Sequence, residues 1–291
     1  MFGEIFSILA PVFVCVGIGY GWSKSGRTFD TPMVTTIVTY FATPCLVFYA
    51  LAKVELDMSK LWDMGMAALY ANVAFAVIGA VALAIFKLPQ RAFLQALTWP
   101  NVGNIGLPLC LLAFGEEGLA LAITFFTVYV VIQLTVGVAF VSGSFSPKSI
   151  LKMPIIPATL LASVFLFTEL EVPAWLFNTT KLIGDLTIPL MLFTLGVSLA
   201  SLKIGGLGTA LWLSVLRLGM GFGVGVGLVE IMGLSGPAAG VVILECALPA
   251  AVFSYLFAQL YDQRPQEVAG LVIVSTFLGF ATLPALLWYV L

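Results

Sequence analysis

The stretch Trp99-Pro100-Asn101-Val102-Gly103-Asn104-Ile105-Gly106-Leu107-Pro108 interrupts an apolar run with two prolines, two asparagines and two glycines. A second apolar run is interrupted at Leu244-Glu245-Cys246-Ala247-Leu248-Pro249. In lipid, a broken helix leaves backbone N–H and C=O groups without partners, at a cost of several kcal/mol each unless protein, water or a ligand replaces them. One interruption reads as a kink. Two, at corresponding places in two halves of a chain, mark the middle of a membrane as a binding site.

The rest of the chain supplies that membrane. It has 291 residues, 61% of them hydrophobic and 9% charged, against about 25% charged in soluble domains. The formal net charge of −2 gives no basic surface for nucleic acid. Histidine is absent, which removes histidine triads, most zinc sites and histidine proton relays. The four cysteines, Cys15, Cys45, Cys110 and Cys246, sit inside apolar runs without a CxxC spacing and read as small buried hydrophobes.

About 20 apolar residues cross a bilayer. On that measure the sequence predicts an all-α polytopic membrane protein with ten transmembrane helices, at 3–22, 32–52, 62–86, 91–115, 117–141, 154–169, 178–201, 208–232, 236–261 and 266–290. Alternate loops then carry Lys24, Arg27, Lys87, Arg91, Lys148, Lys152, Lys203 and Arg264 on one side, and Lys53, Lys60 and Lys181 on the other. The basic excess places the first side in the cytoplasm and both termini outside.

Span two reads Thr43-Pro44-Cys45 and span seven Ile188-Pro189-Leu190, with the prolines 145 residues apart. Pro108 in span four and Pro249 in span nine are 141 apart, which aligns Glu245 with Asn104. These offsets divide the chain into a first five-helix repeat (1–141), a cytoplasmic connection (142–153) and a second repeat (154–291). Five is odd, so the second repeat is inverted, and broken helices four and nine cross where the halves meet.

Pro100-Asn101 followed by Gly106-Leu107-Pro108-Leu109 resembles the fourth-helix motif of the auxin efflux carrier family, which includes plant auxin exporters and bacterial malate or malonate carriers. Ala247-Leu248-Pro249, Phe257-Ala258, Tyr261, Arg264-Pro265 and Leu283-Pro284 resemble that family's last two helices. The resemblance spans both repeats. It implies a fold shared with bile-acid sodium symporters, a scaffold of spans one, two, six and seven, and a transport domain of spans three to five and eight to ten. It also implies elevator-like motion, a homodimer formed through the scaffold, and a bacterial cytoplasmic membrane. Asn101 matches the crossover asparagine that contacts substrate in the plant carriers. Two departures are plain: the long central loop of the plant exporters is missing, and Ser254 stands where they have a second proline in span nine.

The expected function is secondary active transport of a small organic anion, a carboxylate such as malate, malonate or an auxin-like acid. The alternative is an anion-binding sensor or channel-like protein without uphill transport. An intramembrane enzyme is disfavoured, since no catalytic pairing stands out. Candidate substrate-binding residues are Pro100, Asn101, Asn104, Pro108, Pro249 and Ser254: half-helix ends aim free N–H groups at a carboxylate, and the amides add donors. Glu245 is costly at mid-bilayer. It fits a sodium ligand, with Asn101, Thr124 and Thr127 adding oxygens, as well as a proton carrier or a structural acid. No cofactor is expected beyond Na⁺ as a candidate coupling ion. Asp185 and Arg217 can pair, or Arg217 can snorkel to the cytoplasmic face. The glycines 219, 221, 223, 225 and 227 read as a close-packing helix face.

Overall fold

A computed structural model of the chain describes residues 2–53, 58–143, 154–168, 170–202 and 205–291. Lys148, Lys152, Lys203, Glu169, the side chain of Lys53 and most of the 142–153 connection lie outside the described residues. The described chain is helical: α1 (Phe2–Lys24), α2 (Thr31–Ile37), α3 (Thr43–Lys53), α4 (Met58–Ile85), α5 (Gln90–Thr98), α6 (Leu107–Ile132), α7 (Val138–Ser142), α8 (Ile155–Thr168), α9 (Ala174–Gly184), α10 (Thr187–Ser201), α11 (Leu207–Met232), α12 (Gly236–Ala247), α13 (Val252–Leu260) and α14 (Pro265–Val290). Three π-helical turns interrupt the α geometry: Val38–Ala42 between α2 and α3, Val102–Gly106 before α6, and Gln133–Gly137 between α6 and α7.

Seven helical stretches among the described residues are long and apolar enough to cross a membrane, and α8 and α12 are shorter apolar helices. Their outward faces are greasy. On α4, Val73, Val77, Val81 and Ile85 form a stripe at helical spacing and are each more than half exposed. Water would penalise such a stripe; lipid does not. The chain is a multi-pass membrane protein.

The stretch Val102–Ser142 runs for 41 residues, at about 1.5 Å per residue twice the thickness of a hydrocarbon core. It does not run straight. Gly115 takes φ 66° and ψ −154°, open to glycine and not to a residue with a Cβ. A Cβ added at Gly118 would lie 2.6 Å from the Cys110 carbonyl oxygen, eight residues back. In a straight helix those positions are about 12 Å apart, so the chain doubles back at Gly115.

Proline sets the two other breaks. The residue before a proline is pushed out of the α region. Trp99 accordingly has φ −107° and ψ 102°, and Leu248 has φ −66° and ψ 155°. The breaks thus fall at Trp99–Asn101 and Leu248–Ala251. Pro108 breaks nothing: it sits in the first turn of α6, where a missing N–H is harmless. Pro100 is thus the proline that ends its helix as Pro249 does, 149 residues away, whereas Pro108, expected from the sequence to align with Pro249, starts one. Glu245 then corresponds to Ala96, not to Asn104.

Small residues bring the helices together. α1 lies along α10, with Gly19 against the Phe193 backbone and Gly196 against the Val16 carbonyl. α3 packs on α8 and α9, while α11 packs on α12 and α14. Of the glycine run on α11, Gly221 lies against the Cys246 carbonyl and Gly225 against Ile243; Gly219, Gly223 and Gly227 meet nothing. The close-packing face is thus one pair of glycines four residues apart.

Candidate functional site

The two breaks meet. The Asn101 N–H donates to the Pro249 carbonyl at 2.8 Å, and the Ala251 N–H donates to the Trp99 carbonyl at 3.1 Å. This pairing forms a minimal antiparallel bridge between Pro100 and Ala250. Two further freed donors are satisfied: the Val102 N–H donates to the Pro100 carbonyl at 2.9 Å, and the Ala250 N–H to Ser275 Oγ on α14 at 3.2 Å. Each broken helix thus replaces part of its own ladder with bonds to the other.

A cavity of about 360 Å³ opens beside this bridge. Its wall includes Pro100–Asn104 from the first break and Ala251–Phe253 from the second, so the N-terminal starts of the π turn leading into α6 and of α13 both border it. Thr35, Thr39 and Thr43 approach from α2, the following π turn and α3; Thr194 and Ser198 come from α10, and Gln133 from the third π turn. Phe126, Met191, Phe253 and Phe257 supply the apolar remainder. Among the described residues, no Lys or Arg lines it. Asn101 is 4% exposed and Gln133 6%, and among the described residues Asn101 Nδ2, Gln133 Nε2 and Thr194 Oγ1 have no hydrogen-bond partner. A buried donor left unmade costs free energy, so these groups favour a ligand that accepts hydrogen bonds.

Of the candidate residues, Pro100, Asn101 and Asn104 line this cavity. Pro108, Pro249 and Ser254 are buried but are not part of its wall. Neither is Glu245, which is fully buried against the end of the second π turn at Gly106. Its carboxylate lies so close to Gly106 that any Cβ there would overlap it, and Cys110 Sγ donates to Oε1 at 3.8 Å. Glu245 Oε2 has no partner. Thr124 and Thr127 point their hydroxyls at their own helix, donating to the Ala120 and Ile123 carbonyls at 3.0 and 2.8 Å.

Gln133, Thr39, Thr43, Thr194 and Ser198 were not among the candidates. Gln133 carried a usable signal, an uncharged amide alone in the apolar context Val131-Ile132-Gln133-Leu134. The hydroxyl residues carried none, since Ser and Thr are common in apolar helices, where they bond to the preceding turn.

Arg217 and Asp185 do not pair, and Arg217 does not snorkel. Asp185 accepts from Tyr49 Oη at 2.9 Å and from Lys181 Nζ at 3.0 Å, tying α3 to the α9–α10 junction. Arg217 is fully buried on α11, and its Nη2 donates to the Cys246 carbonyl at 2.6 Å and its Nη1 to the Leu97 carbonyl at 3.2 Å.

Comparison with known proteins agrees with a membrane carrier. The family model described as "Membrane transport protein" matches residues 4–144 and 138–289. An uncharacterized transporter of Methanocaldococcus jannaschii is 25% identical over 97% of this chain and 96% of its own length. An uncharacterized transporter of Methanothermobacter thermautotrophicus is 24% identical over 90% and 89%. A Rhizobium meliloti protein named "Putative malonate transporter" is 23% identical over 99% and 96%. Paired proline breaks, a cavity between them and a family match along nearly the whole length lead to one conclusion: the chain belongs to the membrane transport protein family, that of the auxin efflux carriers.

Proposed function

We propose that the protein is a secondary active transporter of a small organic anion, which binds in the cavity at the crossing of the two broken helices. The observation that carries this reading is the convergence of two half-helix N-termini and the unpartnered Asn101 amide on one enclosed space. Each helix start presents about half a positive charge, so together they match roughly one carboxylate without a cationic side chain. A cavity of about 360 Å³ lies at the small end of ligand sites and suits an acid of malonate size or somewhat larger.

The ten-span inverted repeat is part of the proposal. It is supported by the reversal at Gly115, the α9–α10 junction within span seven, and the two proline breaks that pair with each other. Packing is consistent with two units: α1 packs on α10 and α3 on α8 and α9, with the π turn Val38–Ala42 touching α3, α9 and α10, while α4, α5, α6, α11, α12 and α14 pack on one another. The cavity lies where the two sets face each other, which suits an elevator that carries the bound anion past the scaffold.

Coupling is assigned to Glu245, and to a proton. The residue is packed against Gly106 and Cys110, with Thr124 and Thr127 bonded elsewhere, an environment that suits a proton better than an ion needing several oxygen ligands.

The test is counterflow of radiolabelled malonate in proteoliposomes. A carrier exchanges labelled for unlabelled malonate, and Asn101→Ala slows the exchange. Malonate binding without counterflow identifies a sensor and overturns the carrier reading; neither binding nor counterflow with malonate or a wider set of carboxylates overturns the anion site.

A further inference from the structure

We infer that Arg217 is a resident cation: its guanidinium fills, between the C-terminal ends of α5 and α12, the place where a bound monovalent cation would otherwise be needed. The inference rests on the proposed function only in taking the crossing to lie within the membrane; it does not depend on the anion.

The need for a cation follows from the backbone. In an unbroken helix the Leu97 carbonyl would accept from the Asn101 N–H, and the Cys246 carbonyl from the Ala250 N–H. Both donors are used elsewhere, on the Pro249 carbonyl and on Ser275 Oγ. Two carbonyls are orphaned side by side, each at a helix end carrying about half a negative charge. Together they present about one negative charge in a site without water to screen it.

Arg217 answers this from a third helix. Nη1 and Nη2 take one carbonyl each, at 3.2 and 2.6 Å, and Cζ stands 4.3 Å from the centre of the Phe75 ring on α4. Its charge is met by carbonyl dipoles and a ring face rather than by a carboxylate. Gly221 on the same helix brings α11 against the Cys246 carbonyl and so sets this reach. A planar guanidinium spans two separated acceptors with fixed geometry, which a single ammonium does less well. The crossing is thus balanced in charge: anion at the N-terminal ends, Arg217 at the C-terminal ends.

The experiment reads the apparent melting temperature of the purified full-length protein in detergent, without substrate. Wild-type protein is expected to melt at the same temperature in sodium chloride and in N-methyl-D-glucamine chloride of equal ionic strength. Arg217→Ala is expected to lose about 5–10 °C. With about 10 mM guanidinium chloride it should regain at least half of that loss by mass action, and with equal urea it should regain none. An Arg217→Ala protein as stable as wild type overturns the inference, and so does a destabilised one that guanidinium leaves unchanged. If Arg217→Ala does not fold, Arg217→Lys and Arg217→Gln decide: a resident cation requires Lys to melt above Gln, and equal melting overturns it. Wild-type stability that requires sodium also overturns it. Failure of the carrier reading would appear in malonate counterflow and leave these melting temperatures unmoved.

Discussion

The two breaks share a backbone and differ in everything attached to it. Each has an extended residue before its proline, a helix ending just before and another starting just after, and one N–H donated across to the other. At the first break the cavity side carries Asn101 and Asn104. At the second, the residues in the equivalent places by the reciprocal bond and the helix start are Ala251 and Ser254, and Ser254 is not part of the cavity wall. Upstream the asymmetry reverses: Glu245 precedes the second break, and Ala96 holds the matching place before the first. Matched backbones supply paired helix dipoles, which attract an anion without choosing among anions. In the proposed function the unmatched side chains are assigned selectivity at the first break and coupling at the second.

The largest effect should come from forcing the breaks apart. Leu256 stands at the place matching Gly106 after the second break, so the tight contact of a glycine with Glu245 exists on one side only. Gly106→Val is expected to lose about 3 kcal/mol or more of stability. Gly106→Ala should fall below wild type and recover when Glu245→Ala is added. Size-exclusion profiles and apparent melting temperatures check both, and absence of recovery would show that the clash is not with the carboxylate.

Asn101→Ala should weaken malonate binding by about 10–100-fold, the loss of one buried hydrogen bond to a charged group. Asn104→Ala should cost less, since Asn104 is only half-buried. If neither substitution weakens binding, the first break binds through backbone alone. Both are read from the concentration dependence of counterflow.

Glu245→Gln sharpens the other half of the comparison. Substituting a permanently neutral isostere should flatten the pH dependence of net uptake while sparing exchange at equal pH on both sides. A pH profile identical to wild type would remove Glu245 from coupling. The smallest effects are expected from Thr124→Val and Thr127→Val, within about twofold in exchange rate, because each hydroxyl serves only its own helix. A change in sodium dependence in either would reopen the reading of these threonines as ion ligands.

Much of the helix map was readable from hydropathy alone, because lipid demands long uninterrupted backbone pairing. The stretches 3–22, 208–232 and 266–290 fall within a few residues of α1, α11 and α14. The proline breaks were readable because steric conflict before a proline is local. Their pairing was misjudged at Pro108, since a proline that starts a helix looks the same in sequence as one that ends it. The cavity wall was only half legible. Asn101 and Asn104 stand beside the break, but Gln133 reaches it from a different helix, and that meeting depends on tertiary packing. Arg217 was misread for the same reason: its partners are backbone carbonyls 120 and 29 residues away, and no sequence pattern advertises a carbonyl left without its donor.

All three π-helical turns border the cavity, through Val38 and Thr39, Val102 to Asn104, and Gln133 and Leu134. A π turn holds about one residue more than the α turn it replaces, and losing that residue restores regular winding within the turn while the helix beyond keeps its phase. The pocket is therefore encircled by places where a single-codon insertion or deletion swings new side chains inward without disturbing the helices' ends. Relatives with different cargo can arise by such length changes as readily as by substitution.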